Sequence, residues 1–241
     1  MWFAVFLFVS AAVAAFVQAT TGFGFAIIIM ALWPLLMTVP DATQLLLFAS
    51  IVTILYIAIK YWRHINFKIV TIPLVLALAG TYLGMSFLLS IDNAVALKVI
   101  GGLLILLAVY FLVFSDRIRI PENIWSASLA GISCGLMSGF FNISGPPIVL
   151  YYSAAAKDKK EYTGTVQFLF TVIILFKIVY LYLKRGLPEM VLANTPVVVV
   201  GSIAGMLLGL RLFDRLSTSM VRRMVYILMI AAGVWYIIQP R

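Results

Sequence analysis

The chain has 241 residues, 64% of them hydrophobic, a mean hydropathy of +1.14 and only 10% charged residues, against about 25% charged in a typical soluble domain. Its net charge of +9 sits in short basic clusters between long apolar runs, a pattern that orients a membrane protein and argues against a nucleic-acid surface. A single cysteine, Cys134, and a single histidine, His64, exclude an internal disulfide, a CxxC or HExxH metal site and a Cys-His catalytic pair, so neither a cofactor nor an enzymatic centre is expected.

The first apolar run, from Met1 to Pro40, contains no charged side chain. It is too long for one crossing, which takes about 20 residues. It starts Met-Trp-Phe-Ala-Val, without a basic n-region, and reads as a first transmembrane segment instead of a leader. Thr20-Thr21-Gly22-Phe23-Gly24-Phe25 interrupts it. Three further spans are predicted over 42–60, 69–91 and 97–115. A second uncharged run, Ile124 to Ala156, is interrupted at Ser138-Gly139-Phe140-Phe141-Asn142-Ile143-Ser144-Gly145-Pro146-Pro147. It is followed by spans over 161–183, 190–210 and 220–239. The pieces Ala26 to Met37 and Pro146 to Ala156 are short enough to be re-entrant, which requires surrounding protein or a wet cavity.

The halves 1–120 and 121–241 resemble each other. Asp41-Ala42-Thr43 aligns with Glu161-Tyr162-Thr163, and the same offset pairs Phe48 with Phe168, Val52 with Val172 and Leu55 with Leu175. Gly80-Thr81-Tyr82-Leu83-Gly84-Met85 aligns with Gly201-Ser202-Ile203-Ala204-Gly205-Met206, and Gly22-Phe23 with Gly139-Phe140. A near-constant offset with glycines in register indicates duplication. These glycines form small-xxx-small pairs, a signal of close helix packing, and Gly101-Gly102 reads the same way.

Charge decides the orientation of the repeats. If each interrupted run returns to the side it left, one face collects twelve of the 17 basic residues: Lys60, Arg63, Lys68, Arg117, Arg119, Lys157, Lys159, Lys160, Arg211, Arg215, Arg222 and Arg223. If each crosses once, the clusters spread almost evenly, against the positive-inside bias. The expected fold is therefore an all-α polytopic membrane protein of two inverted repeats. Each repeat has one broken or re-entrant segment and three transmembrane helices, and both termini are periplasmic.

Paired Gly/Pro-interrupted segments are the best sequence pointer to a transporter's binding site. The candidate substrate-binding residues are Gln18, Thr20, Thr21, Gly22 and Gly24 in the first, and Asn142, Ser144, Gly145 and Pro146 in the second. Gly145-Pro146-Pro147 reads as the start of a half-helix, since proline suits the first helical turn. Its amino end, within the membrane, would favour an anion. All eight acids lie at or near segment ends. Asp41 and Glu161, which are repeat-related, and Lys177, the basic residue deepest in an apolar run, are the candidates for coupling or gating. For Lys177, snorkelling to the interface is the stronger expectation.

Around these residues the chain resembles the TauE/SafE sulfite exporter family of membrane transporters. The resemblance lies in Thr21-Gly22-Phe23-Gly24-Phe25 followed by Pro34, in Gly139 through Pro147 followed by Tyr151, in Tyr162-Thr163-Gly164-Thr165 and in the duplication itself. Many family members carry a triple-glycine run in the broken segments; here Gly22-Phe23-Gly24-Phe25 and Asn142-Ile143-Ser144-Gly145 stand there. The resemblance implies transport of sulfite, a sulfonate or a related small anion across the bacterial inner membrane. Alternating access around both breaks is the expected mechanism, and an anion-selective channel is the alternative. The expected partners are a small anion and the bilayer, and no sequence feature supports a homo-oligomer.

Overall fold

A computed structural model describes residues 2–21, 24–114, 121–212 and 218–238. Among them every regular element is helical. Helices α1 (Trp2–Thr21), α2 (Phe25–Leu32), α3 (Val39–Lys60), α4 (Phe67–Ser90) and α5 (Asn93–Phe114) come from the first half. Helices α6 (Ile124–Phe141), α7 (Gly145–Ala155), α8 (Lys159–Arg185), α9 (Glu189–Leu212) and α10 (Thr218–Ile238) follow in the same order in the second. Among the described residues seven helices, α1, α3, α4, α5, α6, α8 and α9, are long and apolar enough to cross a membrane. Their outward faces carry large apolar side chains such as Val75, Leu106, Leu129 and Leu183, all more than half exposed. That pattern suits a lipid solvent, whereas water would penalise it.

The helices form two compact units, and each combines parts of both sequence halves. One contains residues 1–50, 91–116 and 187–241, and the other contains 51–90 and 117–186. In the first, α9 packs along α1 and α10 along α5. In the second, α4 packs along α6, with α7 and α8 beside them.

The glycine pairs explain these contacts. In the second unit a Cβ on Gly84 would stand 2.7 Å from the Leu136 carbonyl oxygen, and one on Gly135 would overlap the Ala77 carbonyl. In the first, a Cβ on Gly201 would stand 2.6 Å from the Phe8 carbonyl oxygen, and one on Gly205 would overlap that of Ala12. Hence α4 meets α6 as α9 meets α1, the same backbone-on-backbone contact made twice, by helices whose glycines align in the sequence. Gly101 and Gly233 make a reciprocal contact between α5 and α10, each Cβ position 2.7 Å from the other's carbonyl oxygen. Gly102 does not share that role, because a Cβ there meets nothing within 4 Å.

Candidate functional site

The second interruption is narrower than its sequence signature. α6 continues through Ser138 and Gly139 and stops at Phe141. Asn142 then takes a left-handed conformation, φ 61°, and its amide donates to the Ser138 carbonyl at 3.1 Å. Asparagine is, after glycine, the residue that tolerates this C-terminal stop. Ser144 precedes α7 without a side-chain capping bond, and prolines occupy the first turn, where no amide is needed. At 11 residues α7 is about 17 Å long, too short to cross a bilayer. A Cβ built on Gly145 meets nothing within 4 Å, so the amino end of α7 borders open space.

Lys177 meets this turn from α8. Its ammonium donates to the Ser138 carbonyl at 2.6 Å and to Oδ1 of Asn142, and the residue is 2% exposed. Snorkelling is thus overturned: the side chain reaches the carboxyl end of α6, whose carbonyl dipoles favour a cation. An ammonium has three donors, and these two acceptors are both neutral. Among the described residues no carboxylate pairs with it. Lys98, by contrast, is exposed. Thr81 of α4 packs against the last turn of α6, its carbonyl oxygen 2.5 Å from a Cβ built on Gly139. The Thr81 hydroxyl is fully buried and has no hydrogen-bond partner. Ser202, its aligned counterpart on α9, is equally buried and unpartnered.

In the other unit, the described residues on either side of the first interruption are held by neutral bonds. Thr20 directs its buried hydroxyl to the carbonyls of Phe16 at 3.1 Å and Val17 at 3.0 Å. Gln18 is half-buried on the same helix. Gly24 caps α2 with φ 108°, a conformation that favours glycine. The last carbonyls of α2, Met30 and Ala31, accept the Tyr236 hydroxyl at 3.1 and 2.9 Å. Trp33 donates its indole N–H to Ser10 at 2.8 Å. The residue aligned with Lys177 is Ile57, so the first half has no lysine at that position. Gly22 lies outside the described residues, as do the side chains of Thr21 and Pro146.

The acidic candidates sit at helix starts. Asp41 accepts the Thr38 hydroxyl at 2.6 Å, and the Asp41 amide returns a bond to that hydroxyl at 3.3 Å. This is a reciprocal cap on the first turn of α3. Glu161 accepts the Asn66 amide group at 2.7 Å, while the Asn66 backbone donates to Thr165 at 3.1 Å. These two bonds tie the α3–α4 loop to α8. Asp158 caps α8 through the amides of Lys160 and Glu161, and those bonds hold its carboxyl below the usual carboxylate range.

The structure therefore gathers Asn142, Ser144 and Gly145 at one turn with Lys177. It adds the Ser138 carbonyl, which the motif reading passes over. The family model described as Sulfite exporter TauE/SafE matches residues 7–236. The chain belongs to the TauE/SafE sulfite exporter family. The family match and the seven membrane-length helices make it a multi-pass membrane protein of a transporter family. Neither a curated protein nor a solved structure matches the chain.

Proposed function

We propose that the chain carries a small sulfur oxyanion, sulfite or an organosulfonate, across a bacterial inner membrane by alternating access. The substrate is held at the broken segments, chiefly by the α6–α7 turn. The observation that carries this reading is the amino end of α7. It opens on free space at Gly145, it belongs to a helix too short to cross, and its positive dipole end suits an oxyanion. Asn142 and Ser144 contribute polar side chains at the same turn. Gln18, Thr20, Thr21, Gly22 and Gly24 form the corresponding segment of the first repeat.

The two halves are inverted repeats in this reading, with both termini periplasmic. Asp41 and Glu161, at repeat-related helix starts, are the candidates for coupling or gating together with Lys177. The test is flux of sulfite into proteoliposomes containing the purified protein. Saturable uptake that falls in Gly145→Leu, whose side chain fills the space before α7, supports the site. Absence of saturable uptake by the unaltered protein, or full uptake by Gly145→Leu, contradicts it.

A further inference from the structure

We infer that Lys177 is the counter-charge for the transported anion, and that the α6–α7 turn selects substrates carrying a single negative charge. The inference rests on the transport reading above and adds to it a specificity-determining residue.

Lys177 lies well inside α8, eight residues before Arg185, roughly 12 Å along the helix. It is 2% exposed. A cation taken out of water is costly unless an opposite charge or a full set of acceptors compensates it. Ionisable residues inside membrane helices mark substrate and ion paths for that reason. Lys177 has two neutral acceptors, the Ser138 carbonyl and Asn142 Oδ1, and no carboxylate partner among the described residues. Both acceptors belong to the turn that precedes the amino end of α7, so the cation and the positive dipole end of that helix flank one short stretch of chain, Asn142 to Gly145.

The residues beside the turn leave further capacity for a ligand. The third N–H of the ammonium can donate to oxygen, and Gly145 leaves open space. An oxyanion there would supply the charge that the protein does not. The arithmetic of charge then sets the specificity. One lysine meets the turn, so a monoanion leaves the site neutral. A dianion leaves one uncompensated negative charge in a low-dielectric interior, and a neutral analogue leaves the lysine uncompensated. A sulfonate, or sulfite that has taken up one proton, has the matching charge.

Binding to the purified full-length protein tests this with three probes of similar shape: methanesulfonate, sulfate and methanesulfonamide. The unaltered protein is expected to bind methanesulfonate at least about tenfold more tightly than either of the others. Lys177→Met is expected to lose that preference, and Lys177→Arg to keep it. Equal affinity for the three probes in the unaltered protein, or tighter binding of sulfate, overturns the inference. So does a folded Lys177→Met protein that binds methanesulfonate as the unaltered protein does. If Lys177→Met does not fold, the three-probe comparison on the unaltered protein decides alone. Saturable sulfite flux without a charge preference would sink the role of Lys177 and leave the transport reading standing, whereas absence of any flux or binding would sink both.

Discussion

Lys177 reaches from α8 to the end of α6, where its ammonium donates to the side-chain oxygen of Asn142 and to the carbonyl of Ser138. Asn142 has two tasks at that position. It stops α6 with a left-handed backbone, and it supplies an acceptor for a buried cation. The two tasks separate on substitution. Asn142→Gly keeps the backbone and loses the acceptor, at a cost of roughly 1.5–3 kcal/mol for a hydrogen bond to a charged group. Asn142→Ala loses the acceptor and also strains the turn, by about a further 1 kcal/mol. Melting temperatures in detergent should therefore rank the native protein above Asn142→Gly and Asn142→Ala lowest.

The helix pairs α4–α6 and α1–α9 depend on glycine at the closest points. Gly135→Ala and Gly205→Ala each push a methyl group into a backbone carbonyl, which cannot move aside as a side-chain tip can. Each should destabilise the protein by about 1–3 kcal/mol or more. Gly102→Ala, where nothing lies within 4 Å, should be neutral or slightly stabilising, because alanine is the better helix former. Thermal unfolding of the three variants checks the pattern, and equal losses at all three positions would contradict it.

Much of this arrangement is legible in the sequence. The interruptions are visible because Gly22, Gly24 and Gly145-Pro146-Pro147 break uncharged runs, and the close helix contacts are visible because Gly80-Gly84 and Gly201-Gly205 stand in small-xxx-small spacing. The extent of the second break is not. Ser138 and Gly139 resemble loop residues, yet they stay helical because α4 packs against them at Gly84 and Thr81. Lys177 is misjudged for a related reason. A lysine six residues from an expected helix end usually snorkels, and only the tertiary position of α6's carboxyl end supplies a nearer set of acceptors. The interleaving of the two halves into units is likewise a long-range property that a linear reading of repeats does not contain.

The first interruption should respond differently from the second. Tyr236 donates to the last carbonyls of α2 at 3.1 and 2.9 Å. Tyr236→Phe leaves these groups without that donor inside the protein, and about 1–3 kcal/mol of stability should be lost. Its affinity for methanesulfonate should stay close to that of the unaltered protein, because no charge is altered. A large loss of affinity with little loss of stability would place the anion at the first break instead.

Acid should loosen the start of α8. Two backbone amides hold the Asp158 carboxyl below its usual range. A depressed value means that the carboxylate stabilises the fold at neutral pH, and that this contribution is lost as pH falls through the depressed value. Asp158→Asn caps the helix without titrating at this position. The difference in melting temperature between Asp158→Ala and the native protein should shrink as pH falls, while that between Asp158→Ala and Asp158→Asn should persist. A native-to-alanine difference independent of pH would contradict the capping role.

The central claim is that a buried lysine at the α6–α7 turn supplies the charge that an oxyanion substrate neutralises. Its most direct test is methanesulfonate uptake into proteoliposomes by native protein, Lys177→Met and Lys177→Arg, reconstituted at equal folded amounts. The account predicts saturable uptake by the native protein and by Lys177→Arg, and a loss of at least about tenfold in Lys177→Met. Native-level uptake by folded Lys177→Met would contradict it.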